Sequence, residues 1–491
     1  MSTNAITGRL DPTGGGHATL FGALFGVVAL TAAAAAVWRP AAIVAVIMLV
    51  SVLALKYPLG VGAALIVAGV VLPDYIGAQL HGFGVVVNGR LLVSVLLLYA
   101  GLIATRDNRS AHVRHVQWAV ACLAVLWLVS AFVATSGAFI DRAQATTHFA
   151  LADVTALVGA TLLACAPGGR RRLLLALTAA GILAAVLAMA ELAAQRNLLL
   201  EYGLNLDLGA ASWKELPERF GLIRSSGAFG HPIELGVVLG MCLMAALEAA
   251  RVRALPTGLA MAAATVMFVG QLTTISRGPV LGTLVAIALW ALWARPVSAR
   301  WRVATLVIVV GLTFAAVGLS SVDSGLVSFL DTGEETEAMG GSAEHRVMLT
   351  QTFFDELASP SLTGTLVVSN TTVGREFITI DHEGLFLLVG RGLLGLAVYG
   401  VLLLFPVLYD ARRIGLGVTR EPHAPLSAVY LIATGATVAF FGPLQTYMWV
   451  TIAIMWSTVA LASEIPGERV AGYTFRDEDV SLYESLGVFR G

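Results

Sequence analysis

The sequence predicts an all-α polytopic membrane protein with about 12–14 transmembrane helices and one large polar loop. Three observations carry this. First, 57% of the 491 residues are hydrophobic and only 12% are charged, against about a quarter charged in soluble domains; mean hydropathy is +0.83. Second, apolar runs recur at about 20 residues, the length that crosses roughly 30 Å of hydrocarbon. Third, these runs are Ala/Leu/Val blocks rather than alternating strands, so the backbone groups pair within helices and not in a barrel.

The expected spans are 18–37, 41–56, 58–73, 89–105, 116–134, 149–166, 172–194, 232–249, 254–273, 278–294, 302–319, 384–408, 425–441 and 443–463. The first reads as a full span rather than a cleaved leader, because it is too long and the segment before it is not distinctly basic. Cys122, Cys165 and Cys242 all fall inside apolar runs, with neither a disulfide framework nor metal-ligand spacing. A net charge of -1 gives no electrostatic footprint for nucleic acid.

Orientation follows from the basic residues. Arg106/Arg109/Arg114, Arg170/Arg171/Arg172, Arg251/Arg253, Arg295/Arg300/Arg302 and Arg412/Arg413/Arg420 fall in alternate loops, with Lys56 in phase. Those loops and both termini are expected in the cytoplasm. Segments 74–88, 135–148, 195–231, 274–277 and 320–383 are then outside. The chain divides into a cytoplasmic tail 1–17, an N-terminal bundle 18–194, a central region 195–319 with two outer loops, the large outer loop 320–383, C-terminal helices 384–463 and a cytoplasmic tail 464–491. No internal repeat is visible.

The large loop opens on an acidic run, Asp331-Thr-Gly-Glu-Glu-Thr-Glu337. Residues 342–358 read as an amphipathic helix capped by Ser342, with Glu344 in its first turn. Val347, Thr350, Phe354 and Leu357 form its expected apolar face. Residues 359–380 read as irregular, and Asn370-Thr371-Thr372 as a chance match to a glycan acceptor. The loop ends on Asp381-His382-Glu383-Gly384, followed by an apolar run that contains Arg391.

Charges inside hydrocarbon are costly and ask for a reason. Asp153, Glu191, Glu234 and Arg391 lie within spans or at their edges, all toward the outer end in this topology. Arg224, Arg277 and His382 lie at outer boundaries. Polar groups gathered at one depth predict a wet cavity opening outward. Arg277 sits in a very short outer turn, Thr273-Thr-Ile-Ser-Arg-Gly-Pro279, against the usual retention of Arg on the inside. Its planar fork suits bidentate pairing with phosphate. Arg224 precedes Ser-Ser-Gly-Ala-Phe-Gly-His231-Pro232, where Gly227 and Gly230 allow close backbone approach before a helix start. His382 has an imidazole suited to general-base work, or to hydrogen-bonding a phosphate or sugar; Asp381 and Glu383 flank it.

These pieces resemble the O-antigen ligase/polymerase superfamily of bacterial envelope enzymes. The matching stretches are Arg224-Ser-Ser-Gly-Ala-Phe-Gly-His-Pro, Thr-Ile-Ser-Arg277-Gly-Pro, Glu-His-Arg346 and His382-Glu-Gly-Leu-Phe-Leu-Leu-Val-Gly-Arg-Gly-Leu-Leu-Gly395, in order over about residues 200–410. The resemblance implies a fold similar to the lipid-donor (GT-C type) glycosyltransferases. It implies metal-independent, inverting transfer, without a cofactor, from an undecaprenyl-diphosphate-linked glycan donor to a glycan, lipid or protein acceptor. The expected setting is the outer face of the bacterial cytoplasmic membrane, in polysaccharide biosynthesis. Diphosphate contacts carry over to Arg224, Arg277 and Arg346, and the loop histidine to His382; Arg391 is a further candidate, with Glu383, Asp381 and Glu234 in support. Glu383 departs from the family, where Asn, Ser or Gln often follows the histidine; a carboxylate there has to turn away from diphosphate or pair, for example with Arg391. The competing expectations are a secondary transporter or lipid-linked glycan flippase, and a receptor or scaffold for envelope assembly.

Overall fold

The chain is described by a computed structural model over residues 39–71, 77–80, 85–106, 110–134, 143, 146–147, 149–198, 218–219, 222–229, 231–293, 348–365, 382–415, 425–435 and 442–461. The expected spans 18–37 and 302–319, the acidic run, Arg346 and Asp381 lie outside these residues. In order, the helices are α1 (Arg39–Lys56), α2 (Pro58–Gly69), α3 (Gly89–Ala104), α4 (Ala111–Phe132), α5 (Thr155–Cys165), α6 (Gly169–Ala194), α7 (Pro232–Arg251), α8 (Thr257–Thr273), α9 (Arg277–Trp293), α10 (residues 348–358), α11 (Glu383–Gly415), α12 (Pro425–Gly435) and α13 (Gly442–Leu461). Two small antiparallel ladders pair β1 (Gly77–Leu80) with β2 (Val85–Asn88), and β3 (Glu218–Arg219) with β4 (Leu222–Ile223). The protein is an α-helical membrane protein. Among the described residues five helices are long and apolar enough to cross a bilayer, and six shorter apolar helices accompany them.

Local chemistry sets the helix ends. Ser110 caps α4 by accepting from Val113 N at 3.5 Å, and Pro58 and Pro232 open α2 and α7 where a missing N–H costs nothing. A π-helical turn, Ala150–Val154, leads into α5. Small residues let helices touch: a Cβ on Gly159 of α5 would lie 2.4 Å from Leu98 N of α3, so the two backbones meet directly. Helix α13 is the hub. It contacts α4, α5, α6, α7, α11 and α12, and 94% of its span is buried, as its all-round apolar composition requires.

Polar contacts sort to the two ends of the bundle. At one end, the starts of α3, α5 and α13 meet through Arg90, Asp153 and Gln445, and Tyr447 Oη donates to Ile66 O at 2.8 Å. At the opposite end, Arg170 and Arg251 pair with Glu248, and a His112 ring nitrogen lies 3.2 Å from Val459 O. The first end is the one expected to face outward.

Helix α11 is broken. Gly392 adopts φ 69, ψ -173, splitting the element into a short first half and a long second half. The strap 361–365 supplies the hydrogen bonds lost at the break. Thr365 N donates to Val389 O at 2.9 Å, Leu393 N donates to Ser361 O at 2.9 Å, and Leu394 N donates to Leu362 O at 3.3 Å. Gly364 lies flat on the break, where a Cβ would come within 2.2 Å of Arg391 N.

The loop helix corrects one expectation. Of the expected face Thr350 is buried, Phe354 and Leu357 are exposed and Val347 lies outside the described residues; the seated apolar residues are Leu349 and Phe353, which pack on Leu385 and Val389. The spacing of apolar residues allows either face, and the partner helix selects the one that meshes with Leu385.

Gly364→Ala and Gly392→Ala are expected to cost at least ~2 kcal/mol each, from overlap at Gly364 and from left-handed strain at Gly392. Gly400→Ala is the control. It lies in the second half of α11 with open space around its Cβ, and is expected to stabilise by about 0.5–1 kcal/mol. Thermal unfolding in detergent reads all three.

Candidate functional site

Two loops meet where α6, α7, α8 and α9 end or begin. Arg224 Nε donates to Thr274 O at 3.0 Å, and its Nη2 donates to Ser276 Oγ at 2.8 Å. Ser225 N donates to Thr273 O at 3.3 Å, and Ser225 Oγ donates to Ala188 O at 2.7 Å. From below, the Glu191 carboxylate accepts from Ser226 N at 3.1 Å and Gly227 N at 2.9 Å. Glu191 is 1% exposed. Both bonds fall on Oε2, so backbone amides hold this buried carboxyl group in place. Gly227, at φ 56, turns the chain there. The structure thus brings Arg224 onto the turn that carries Arg277. Arg277 is the first residue of α9; its side chain lies outside the described set.

That turn is strained. Ile275 has φ 48, a left-handed conformation rare for a β-branched residue. It is held by the Arg224 bonds to residues on either side of it, and such outliers persist only where the surroundings over-determine them. His231 and Glu234 support the same region. His231 Nδ1 accepts from Ile233 N at 3.2 Å as the cap of α7, and the half-buried Glu234 lies in the first turn of that helix, where the helix dipole favours a carboxylate.

His382 is the cap of α11. Its Nδ1 accepts from Leu385 N at 3.0 Å, and its ring lies against Phe353, centroids 5.1 Å apart. In a neutral imidazole an acceptor Nδ1 leaves the proton on Nε2, so the ring presents a donor there. Burial pushes the His382 pKa down to about 4, because the charged form loses its hydration. Gly384 makes room for the ring; a Cβ there would lie 3.1 Å from His382 Cε1.

Arg391 is placed differently from the expectation that it contacts phosphate. Its guanidinium lies 4.0 Å from the Trp127 ring centroid and 4.1 Å from that of Phe149. Nη1 donates to Trp127 O at 3.0 Å, and the residue is 4% exposed. With both faces covered, it ties the broken helix to α4. The carboxylates of Asp153 and Glu383 both act on it electrostatically, so buried Glu383 has a cation near it.

Arg90 is the residue that sequence reasoning missed. It is 9% exposed, pairs with Asp153 at 2.5 Å and donates to Gln445 Oε1 at 2.5 Å. The signal was present: like Arg277, it is an Arg at an expected outer boundary. A narrow cleft lies between Ile66, Gly69, Val93 and the first turn of α13, walled by Arg90, Thr446 and Tyr447. Arg90 Nε and Thr446 Oγ1 are buried there without hydrogen-bond partners, as is Oδ2 of Asp153 in the adjoining ion pair, a polar setting that suits a bound water.

The predicted residues therefore form two groups at one end of the bundle. One holds Arg224, the start of α9 and Glu234; the other holds His382, Glu383 and Arg391. The first turn of α13 stands between them. Tyr447 packs on Phe229 of the first group, ring centroids 5.8 Å apart, while Gln445 reaches Arg90 and so Asp153, beside Arg391. Among the described residues no three His, Cys, Asp or Glu side chains gather as metal ligands. The chain matches no family model, no curated protein and no solved structure.

Two measurements test this geometry. Replacing Ile275 by Gly is expected to cost under about 1 kcal/mol, against 2–5 for an ordinary large-to-small change, because strain is relieved. The His382 pKa is depressed in the folded protein, so its contribution is complete above pH 6.5 and is lost as pH falls from 6.5 toward 4. The loss is on the order of 3 kcal/mol, and His382→Asn, which retains a capping acceptor, is expected to flatten that slope in a pH series of melting curves.

Proposed function

We propose that the protein is a membrane glycosyltransferase moving a glycan from an undecaprenyl-diphosphate donor to an acceptor. The acceptor is a sugar, in a polymerase, or a lipid or protein anchor, in a ligase. The reaction is metal-independent and inverting, and takes place on the outer face of the bacterial cytoplasmic membrane. One observation supports it above the rest: Arg224 is hydrogen-bonded into the turn that starts α9 with Arg277. The Arg224 guanidinium and the helix start that carries Arg277 then lie at one membrane boundary. A diphosphate leaving group needs such a donor set as its bond to sugar breaks.

On this reading Arg277 carries the leaving diphosphate, Arg224 shapes the turn and adds charge, and Arg346 of the large loop is a further diphosphate contact. His382 serves as a hydrogen-bond donor through Nε2 rather than as a base, because its Nδ1 is engaged by Leu385 N. Arg391 holds the broken helix and is left out of the diphosphate set. Glu383 and Asp381 support the His382 region.

A transporter or lipid-linked glycan flippase is the second reading. What favours it is the discontinuous α11 with buried charges beside its break, a construction used for substrate sites in secondary transporters.

Product analysis separates the two. Purified protein given a polyprenyl-diphosphate glycan is expected to form a new glycosidic bond detectable by mass. Arg277→Ala and Arg224→Ala are expected to reduce the rate by about 100-fold or more with folding intact. Full activity in both variants sinks the transferase reading; glycan counterflow in liposomes without bond formation establishes the second.

A further inference from the structure

The loop helix α10 has two apolar faces, one seated on α11 and one exposed. Leu349 and Phe353 pack on Leu385 and Val389. Next to them around the helix, Phe354 and Leu357 are 53% and 36% exposed, and Leu362 of the strap is 67% exposed. Large apolar side chains left open together mark a surface that meets something other than water.

Depth decides what that is. The strap is level with the break in α11, since Leu362 O accepts from Leu394 N and Ser361 O from Leu393 N. The break is level with residues 127–130 of α4: Arg391 donates to Trp127 O, and a Cβ on Gly395 would lie 3.3 Å from Ser130 Oγ. Helix α4 is long and apolar enough to cross a bilayer. At that level its outward side chains are Leu126 and Val129, 42% and 39% exposed. Only lipid covers such residues on a span. Leu362 stands level with them.

We infer that residues 348–365 form a re-entrant element seated in the bilayer, with Phe354, Leu357 and Leu362 against acyl chains of the outer leaflet. Backbone at membrane depth must be hydrogen-bonded within the protein, and the strap's bonds to Val389, Leu393 and Leu394 meet that demand at the point where the span itself is broken. The exposed Gln351 and Asp355 lie on the side of α10 away from Leu349 and Phe353, the arrangement of an interfacial helix with headgroups along one edge. The large loop is thus partly a membrane element, whatever reaction the protein performs.

The test uses full-length protein in liposomes. Cys122, the exposed native cysteine, is replaced by Ser, and single nitroxide labels are placed at positions 354, 357 and 362. Labels at Leu404 and Val401, exposed on α11, set the lipid-facing standard. The expected result is oxygen accessibility at the three sites within about twofold of that standard, with water-soluble nickel chelate excluded as strongly as it is there. A label at Asp355 is expected to be reached by the chelate several-fold more. Chelate access at 354, 357 and 362 equal to that at Asp355 overturns the inference by placing the element in water. Exclusion of both reagents overturns it too, by showing that protein covers the face. Melting curves confirm that each labelled protein is folded.

Discussion

A helix that breaks at bilayer depth leaves donors and acceptors that lipid cannot pair, and the architecture around α11 follows from meeting that demand. Gly392 supplies the left-handed turn. The strap brings three residues' worth of backbone partners, and Gly364 lets it lie flat against Gly390 and Arg391. Helix α10, which leads into the strap, is thereby pinned on the first half of α11, and Phe353 arrives against His382. The capped histidine, the seated loop helix and the buried Arg391 are consequences of a single break. An unbroken helix would need none of them.

Charge is distributed by the same economy. At the opposite end Arg170, Arg251 and Glu248 form a partly buried triad, suited to an end anchored among basic residues. At the site end the pairing is deeper. Arg90 and Asp153 are joined, yet each keeps a buried atom unpartnered. Buried pairs seldom repay their desolvation in stability alone. An ion pair with unmet valences beside a small cleft is a modest brace, and its spare donor and acceptor suit a bound water.

Span periodicity made most helices legible from sequence, because each is an apolar block whose ends are marked by Pro, Ser or Arg. The site was legible in part. Arg224 and Arg277 were found from one anomaly, cations at an outer boundary, and the fold places their loops in contact. Arg90 carries the same anomaly but was absorbed into the start of its span. The break was hidden because Gly390-Arg391-Gly392 sits inside a run whose average hydropathy is high, and because its partner strap lies about 30 residues upstream in an irregular segment. The setting of Arg391 was hidden for the same reason: the sequence displays a buried charge, but not the two aromatic rings, more than 240 residues away, that pack against it. The engaged Nδ1 of His382 depends on a backbone geometry that residue identity does not encode.

The turn at Ile275 shows how the two arginines divide their work. An isoleucine held left-handed is unfavourable by itself, so something must hold it, and the bonds from Arg224 to Thr274 O and Ser276 Oγ do so from both sides. Glu191 in turn fixes the segment that presents Arg224, through the amides of Ser226 and Gly227. Two of the five Arg224 N–H donors are therefore committed to its own scaffold before any ligand arrives. A guanidinium so committed shapes the place where an anion sits, and in the proposed reading Arg277, at the head of α9, is left to meet the anion's charge as it develops. From Glu191 through Arg224 to Ile275, each link anchors a polar side chain on the backbone of a neighbouring turn, with the Ser276 hydroxyl as one further partner.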